Sequence, residues 1–154
     1  MHTRAATRGF TFVEMMVVLA IIGMAAAVAI PAIDAGMDSR EVRRATRQIA
    51  ATMHYMRGEA VATGTLHRMR ISPSRNAVET DDHARWMELT DRAIIERIDG
   101  GSAAGDDAID ILFYANGSTS GADVVVASRR DRSSNRLRLI LDPLVGTVRV
   151  EDAS

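Results

Sequence analysis

Residues 8–14 read Arg8-Gly9-Phe10-Thr11-Phe12-Val13-Glu14, and from Met15 to Ile30 no further charge occurs. Residues 10–30 span about 32 Å as an α-helix at about 1.5 Å per residue, which matches a bilayer hydrocarbon core of about 30 Å. Glu14 is the anomaly in this run. A carboxylate in a membrane-spanning helix costs about 2.5–3.5 kcal/mol on insertion scales, so such a residue usually has a partner and a role. Cutting the chain after Gly9 would create that partner, because the new α-amino group on Phe10 would lie one helical turn before Glu14.

The flanks fix the direction of insertion. Arg4 and Arg8 precede the run and would stay cytoplasmic, which sends everything after residue 30 outward. Gly23 and Ala20, Ala25, Ala26, Ala27 and Ala29 place small residues along the segment, and small residues allow close helix packing in lipid. An ordinary secretory signal, cut after Ala27-Val28-Ala29, or a plain signal anchor would also fit the basic start and the apolar run. Neither has a use for Glu14. Pro31 lacks an N–H and clashes with the preceding turn, so a kink or local melting is expected near residues 27–31. Gly36 weakens the same region further.

Beyond it helix resumes, with Asp34 or Asp38 as the candidate cap. Val42, Ala45, Ile49, Met53, Met56 and Ala60 recur at spacings of three and four and draw one apolar stripe. Arg40, Arg43, Arg44, Arg47 and Arg57 lie mostly off it. Gly64 is the expected C-cap. After Leu66 the period becomes two. Strands are expected around Leu66, Met69 and Ile71, at 77–80, 86–89, 93–98, 109–114, 124–127, 136–141 and 147–150. The second and third form a hairpin around Asp81-Asp82-His83, and 93–98 is placed as a possible partner of the strand before it. Residues 100–107 read as a flexible loop and 116–121 as a turn-rich one. The fold class is therefore α+β. The chain divides into a leader (1–9), a transmembrane and assembly helix (10–30), an amphipathic helix (31–64) and an antiparallel β-domain (65–154).

Composition narrows the function. The chain has 154 residues, no cysteine, 19 basic and 20 acidic side chains. Loss of residues 1–9 would take Arg4 and Arg8 and leave a net charge of about −3, which gives no general reason to bind nucleic acid. The absence of cysteine excludes disulfides and thiol chemistry. His2, His54, His67 and His83 lack metal-ligand spacing, Ser133-Ser134 has no nucleophile frame, and residues 117–121 lack the lysine of a phosphate loop. Asp81-Asp82 and Asp106-Asp107 sit in no recognisable calcium loop. No catalytic residue, metal or cofactor is expected. Arg129, Arg130, Arg132, Arg136 and Arg138 form a candidate anion-binding patch. No aromatic accompanies them to stack bases, and the tail at Glu151-Asp152 is acidic.

Gly9, Phe10, Thr11 and Glu14, with Val13 beside the glutamate and Pro31 closing the run, resemble the processing signal of type IV pilins and type II secretion pseudopilins. The second half resembles one branch of that superfamily, the H-type minor pseudopilins and the related type IV minor pilins. The segments that carry this are Arg57-Gly58-Glu59-Ala60, Phe113 to Gly117 followed by Gly121, and Gly146-Thr147-Val148. Ala115-Asn116 departs from the branch, which often has proline there. The resemblance implies a pilin-like fold, cleavage after Gly9 by a prepilin peptidase and methylation of the Phe10 amine. It also implies a structural, non-enzymatic minor subunit, at or near the tip of a pseudopilus in the bacterial inner membrane. Its partners would be other major and minor pseudopilins, met through the first helix. Glu14 would be the assembly residue, meeting the Phe10 amine of a neighbouring subunit or that of its own chain. A type IV minor pilin that aids DNA uptake is the alternative.

Overall fold

The computed structural model describes residues 10–81, 85–105, 107–132 and 135–153, with the side chains of 28–35 excepted. One 52-residue helix, α1 (Phe12–Thr63), opens the chain. Among the described residues nine strands follow: β1 (His67–Ser72), β2 (Ala77–Thr80), β3 (Trp86–Glu88), β4 (Ala93–Gly100), β5 (Ser102–Ala103), β6 (Ile109–Phe113), β7 (Ala122–Ser128), β8 (Arg136–Leu141) and β9 (Val148–Asp152). Two compact units result, Met1–Gly36 and Met37–Ser154.

α1 is assigned as helix without interruption through Pro31. The expected local melting and fresh helix start therefore do not occur. Asp34 and Asp38 are interior residues of α1, not caps. Asp38 is buried and takes an ion pair from Arg92 Nη1 at 2.8 Å. A proline removes one helical hydrogen bond, and the neighbouring turns of a long helix can hold the remainder.

The apolar stripe holds. Val42, Ala45, Ile49, Met53, Met56 and Ala60 are all buried and belong to one core with Met69, Ile71, Val78, Ile111, Phe113, Val124, Val126, Leu139 and Leu141. The 3.6-residue helical period and the two-residue strand period thus deliver their faces to the same interior. Gly64 closes α1, its N–H donating to Ala60 O at 3.0 Å.

The strands form two antiparallel sheets, one ordered β3-β2-β1-β6-β5 and the other β4-β7-β8-β9. The β2–β3 hairpin is as expected, although the turn residues Asp82 and His83 lie outside the described residues. Strand β4 does not pair with β3. It joins the second sheet, with Ile94 opposite Ala127, Ile95 opposite Val126 and Ile98 opposite Val124. One buried side chain manages this crossing. Asn76, at φ 50°, donates Nδ2–H to Ala93 O at 2.8 Å and accepts from Ile95 N–H at 3.0 Å. Part of the loop expected at 100–107 is strand. Ser102 and Ala103 pair with Asp110 and Ile109. Gly101 is required there, because a Cβ would stand 2.5 Å from Ile109 Cγ2 and 2.8 Å from Asp110 O.

Candidate functional site

The start of α1 is built by Thr11. Its carbonyl accepts from Met15 N–H at 3.2 Å, and its Oγ1 accepts from Glu14 N–H at 3.2 Å. Thr11-x-x-Glu14 is therefore the N-terminal half of a capping box, in which a hydroxyl satisfies a helix-end donor that has no intrahelical partner. The sequence reading missed this, although the spacing of Thr11 and Glu14 carried the signal. Gly9 lies outside the described residues. Phe10 is 77% exposed.

Met15, Met16, Val17, Val18 and Leu19 are all exposed. Five successive residues exceed one turn of 3.6, so the apolar surface runs right round the helix. Such a helix is stable only when lipid or other helices cover it. Among the described residues no helix is long and apolar enough to cross a membrane. Described side chains in the apolar run end at Ala27.

The five C-terminal arginines separate into two groups. On β8, Arg136 Nε donates to Glu96 at 3.0 Å and Arg138 Nε donates to Asp123 at 2.7 Å. Asp123 holds the Arg138 guanidinium above its ordinary pKa, first through this hydrogen bond and then through its charge. These two arginines lie opposite Ala127 and Val125 of β7, both buried. A long arginine stem can cover such apolar surface while its head stays wet. Arg129, in the loop, donates Nε–H to Asp91 O at 2.9 Å. Arg130 and Arg132 are exposed in the same loop. Two of the five are thus paired with carboxylates on β4 and β7, and Arg129 is held by a backbone carbonyl.

Of the remaining polar candidates, His67, Asp81 and Asp107 have local partners. Asp81 lies 3.2 Å from His67 Nδ1 and accepts from Arg68 N–H at 2.8 Å. Asp107 accepts from Ser74 N–H and Oγ–H, each at 2.8 Å. His54 is exposed. Among the described residues no group of three or more His, Asp or Glu could hold a metal ion. His2, Asp106, Ser133 and Ser134 lie outside the described residues.

The three short segments of the second half meet at one point. Arg57 Nε donates to Gly117 O at 3.0 Å. Gly146, at φ 66°, packs on both, since a Cβ there would lie 2.5 Å from Gly117 O and 2.7 Å from Arg57 Cδ. Residues far apart in sequence thus clamp the end of α1 to a loop of each sheet.

Residues 4–30 match the family described as the prokaryotic N-terminal methylation motif. Over 129 residues the chain is 31% identical to the type II secretion system protein H of Xanthomonas campestris pv. campestris, across 79% of this chain and 72% of that one. This chain belongs to the type II secretion protein H family of minor pseudopilins. The fold of this minor pseudopilin agrees. A structure of the minor pseudopilin EpsH from the type 2 secretion system of Vibrio cholerae matches with a TM-score of 0.59, over 73% of this chain and 97% of that one. A second structure of EpsH matches with a TM-score of 0.60, over 75% and 96%. Both are 12% identical to the pseudopilin, so they speak for fold alone. The relation to protein H reaches well past the N-terminal motif, and the type IV minor-pilin alternative is not favoured.

Proposed function

We propose that this minor pseudopilin is cut between Gly9 and Phe10 by a prepilin peptidase and methylated on the new Phe10 amine. It is held in the inner membrane by residues 10–30 with its globular part in the periplasm. It assembles with other pseudopilins through α1, as a structural and non-enzymatic subunit needing no cofactor. The observation that supports this best is the first part of α1, apolar on every side yet carrying Glu14 at its third position. Lipid can cover such a helix before assembly, and neighbouring helices can cover it afterwards. Gly9 suits the cleaved position because it has no side chain to obstruct close approach to the bond. In a filament, the Phe10 amine of one subunit can neutralise Glu14 of the next, in a single axial register.

Mass spectrometry of the protein isolated from its native membrane tests the processing. The expected N-terminus is methylated Phe10. A mature chain beginning at Ile30 would instead show an ordinary signal peptide.

A further inference from the structure

The core stripe of α1 leaves the opposite side of the helix to Arg40, Arg43, Arg44 and Arg47, all exposed. Their spacing of three, four and seven places them on one face. Together with Gln48 and Ala51 they line an open groove. Several arginines elsewhere in this protein are neutralised by carboxylates. Arg70 pairs with Asp110 at 2.7 Å, Arg92 with Asp38 at 2.8 Å and Arg136 with Glu96 at 3.0 Å. Beside this face Glu41 lies 4.0 Å from Arg44 and already accepts from Thr90 Oγ1 at 3.1 Å, and Asp152 shares a pocket with Arg43. Among the described residues Arg40, Arg43 and Arg47 have no ion-pair partner.

We propose that this face docks a carboxylate-rich face on a different pseudopilin, so that the groove is a charged interface within the assembled filament. The inference rests on the filament reading given above. Two alternative occupants fit less well. A helix that lies on a membrane needs an apolar face beside its basic one, and between Val42 and Ala60 the apolar face of α1 is consumed by the protein's own core. A second copy presenting the same face would set four arginines against four, and like charges opposed across an interface are strongly disfavoured. The same stripe therefore attracts an acidic neighbour and rejects its own copy, which suits a subunit present among unlike partners.

The test is co-purification of the full-length chain with the other pseudopilins of its system, co-expressed and extracted in lipid-free detergent. Arg43→Glu/Arg47→Glu is expected to lower recovery of the partners by about tenfold or more, with an unchanged melting temperature. Arg40→Glu/Arg44→Glu should do the same, and raising the salt should weaken the wild-type association. Wild-type recovery with undiminished recovery for both variants would overturn the proposal while leaving the filament reading intact. No recovery of partners by the wild type would sink the filament reading itself, and the proposal with it. A loss that appears only when phosphatidylglycerol is added back would make this a lipid site and would also overturn the proposal.

Discussion

Arg57 Nε donates to the carbonyl oxygen of Gly117 at 3.0 Å, joining the last turns of α1 to a loop sixty residues later. The contact is completed by Gly146, whose hydrogen faces both groups. Arg57→Ala removes the donor from a buried glycine's carbonyl and should destabilise the fold by about 1.5–3 kcal/mol. Gly146→Ala should cost at least about 2 kcal/mol, because the residue is left-handed and its Cβ would collide with a backbone oxygen. Thermal melting of the detergent-solubilised full chain measures both. Equal melting of Gly146→Ala and wild type would show that the clamp is looser than this packing implies.

Asn76 joins the two sheets through a buried carboxamide. Asn76→Ala strands the Ile95 N–H and the Ala93 carbonyl and should cost about 2–4 kcal/mol. Asn76→Gly tolerates the positive φ but loses the same bonds, so it should be nearly as destabilised. If glycine restored wild-type stability, backbone strain and not hydrogen bonding would be what matters here. Denaturant midpoints of the three proteins separate the two causes.

Asp142 shapes the β8–β9 turn by accepting from Val145 N–H at 3.0 Å and Leu144 N–H at 2.8 Å. These bonds hold its carboxyl below the ordinary value of 3.8. A carboxylate with a lowered folded-state pKa contributes stability that is fully present above the unfolded value. That contribution is lost as the pH falls through the folded value. Asp142→Asn keeps an acceptor oxygen without the charge, so it should be less stable than wild type at neutral pH. The gap should close as acid takes the wild type below about pH 3.8. Denaturant midpoints of both proteins across that range give the result, and a gap that widens in acid would reverse the sign of the argument.

Glu14 donates its backbone N–H to the Thr11 cap and carries a charge in an apolar segment. Glu14→Gln preserves the backbone N–H that Thr11 Oγ1 accepts and removes only the charge. If Glu14 meets the amine of a neighbouring subunit, the variant should insert and be processed normally, yet co-purify poorly with other pseudopilins. Losing one partner of a buried pair typically costs about 3–5 kcal/mol. Undiminished co-purification at normal membrane levels would leave Glu14 with a role inside its own chain.

What the sequence determined by itself was whatever depends on local order. The N-terminal methylation motif is contiguous, so the match over residues 4–30 was legible without a fold. The helical stripe from Val42 to Ala60 and most strand positions followed from period, because one face of each element had to be buried. The Thr11 cap was equally local and was overlooked. Only the tertiary structure decided which strands pair, since β-pairing is set by partners distant in the chain. Asn76 and the inward face of β7, not proximity, send β4 to the second sheet. Only the fold could show that Arg136 and Arg138 are occupied by Glu96 and Asp123, and that Arg40, Arg43 and Arg47 have no ion-pair partner among the described residues. A run of arginines in sequence carries no record of which carboxylates folding will bring beside it.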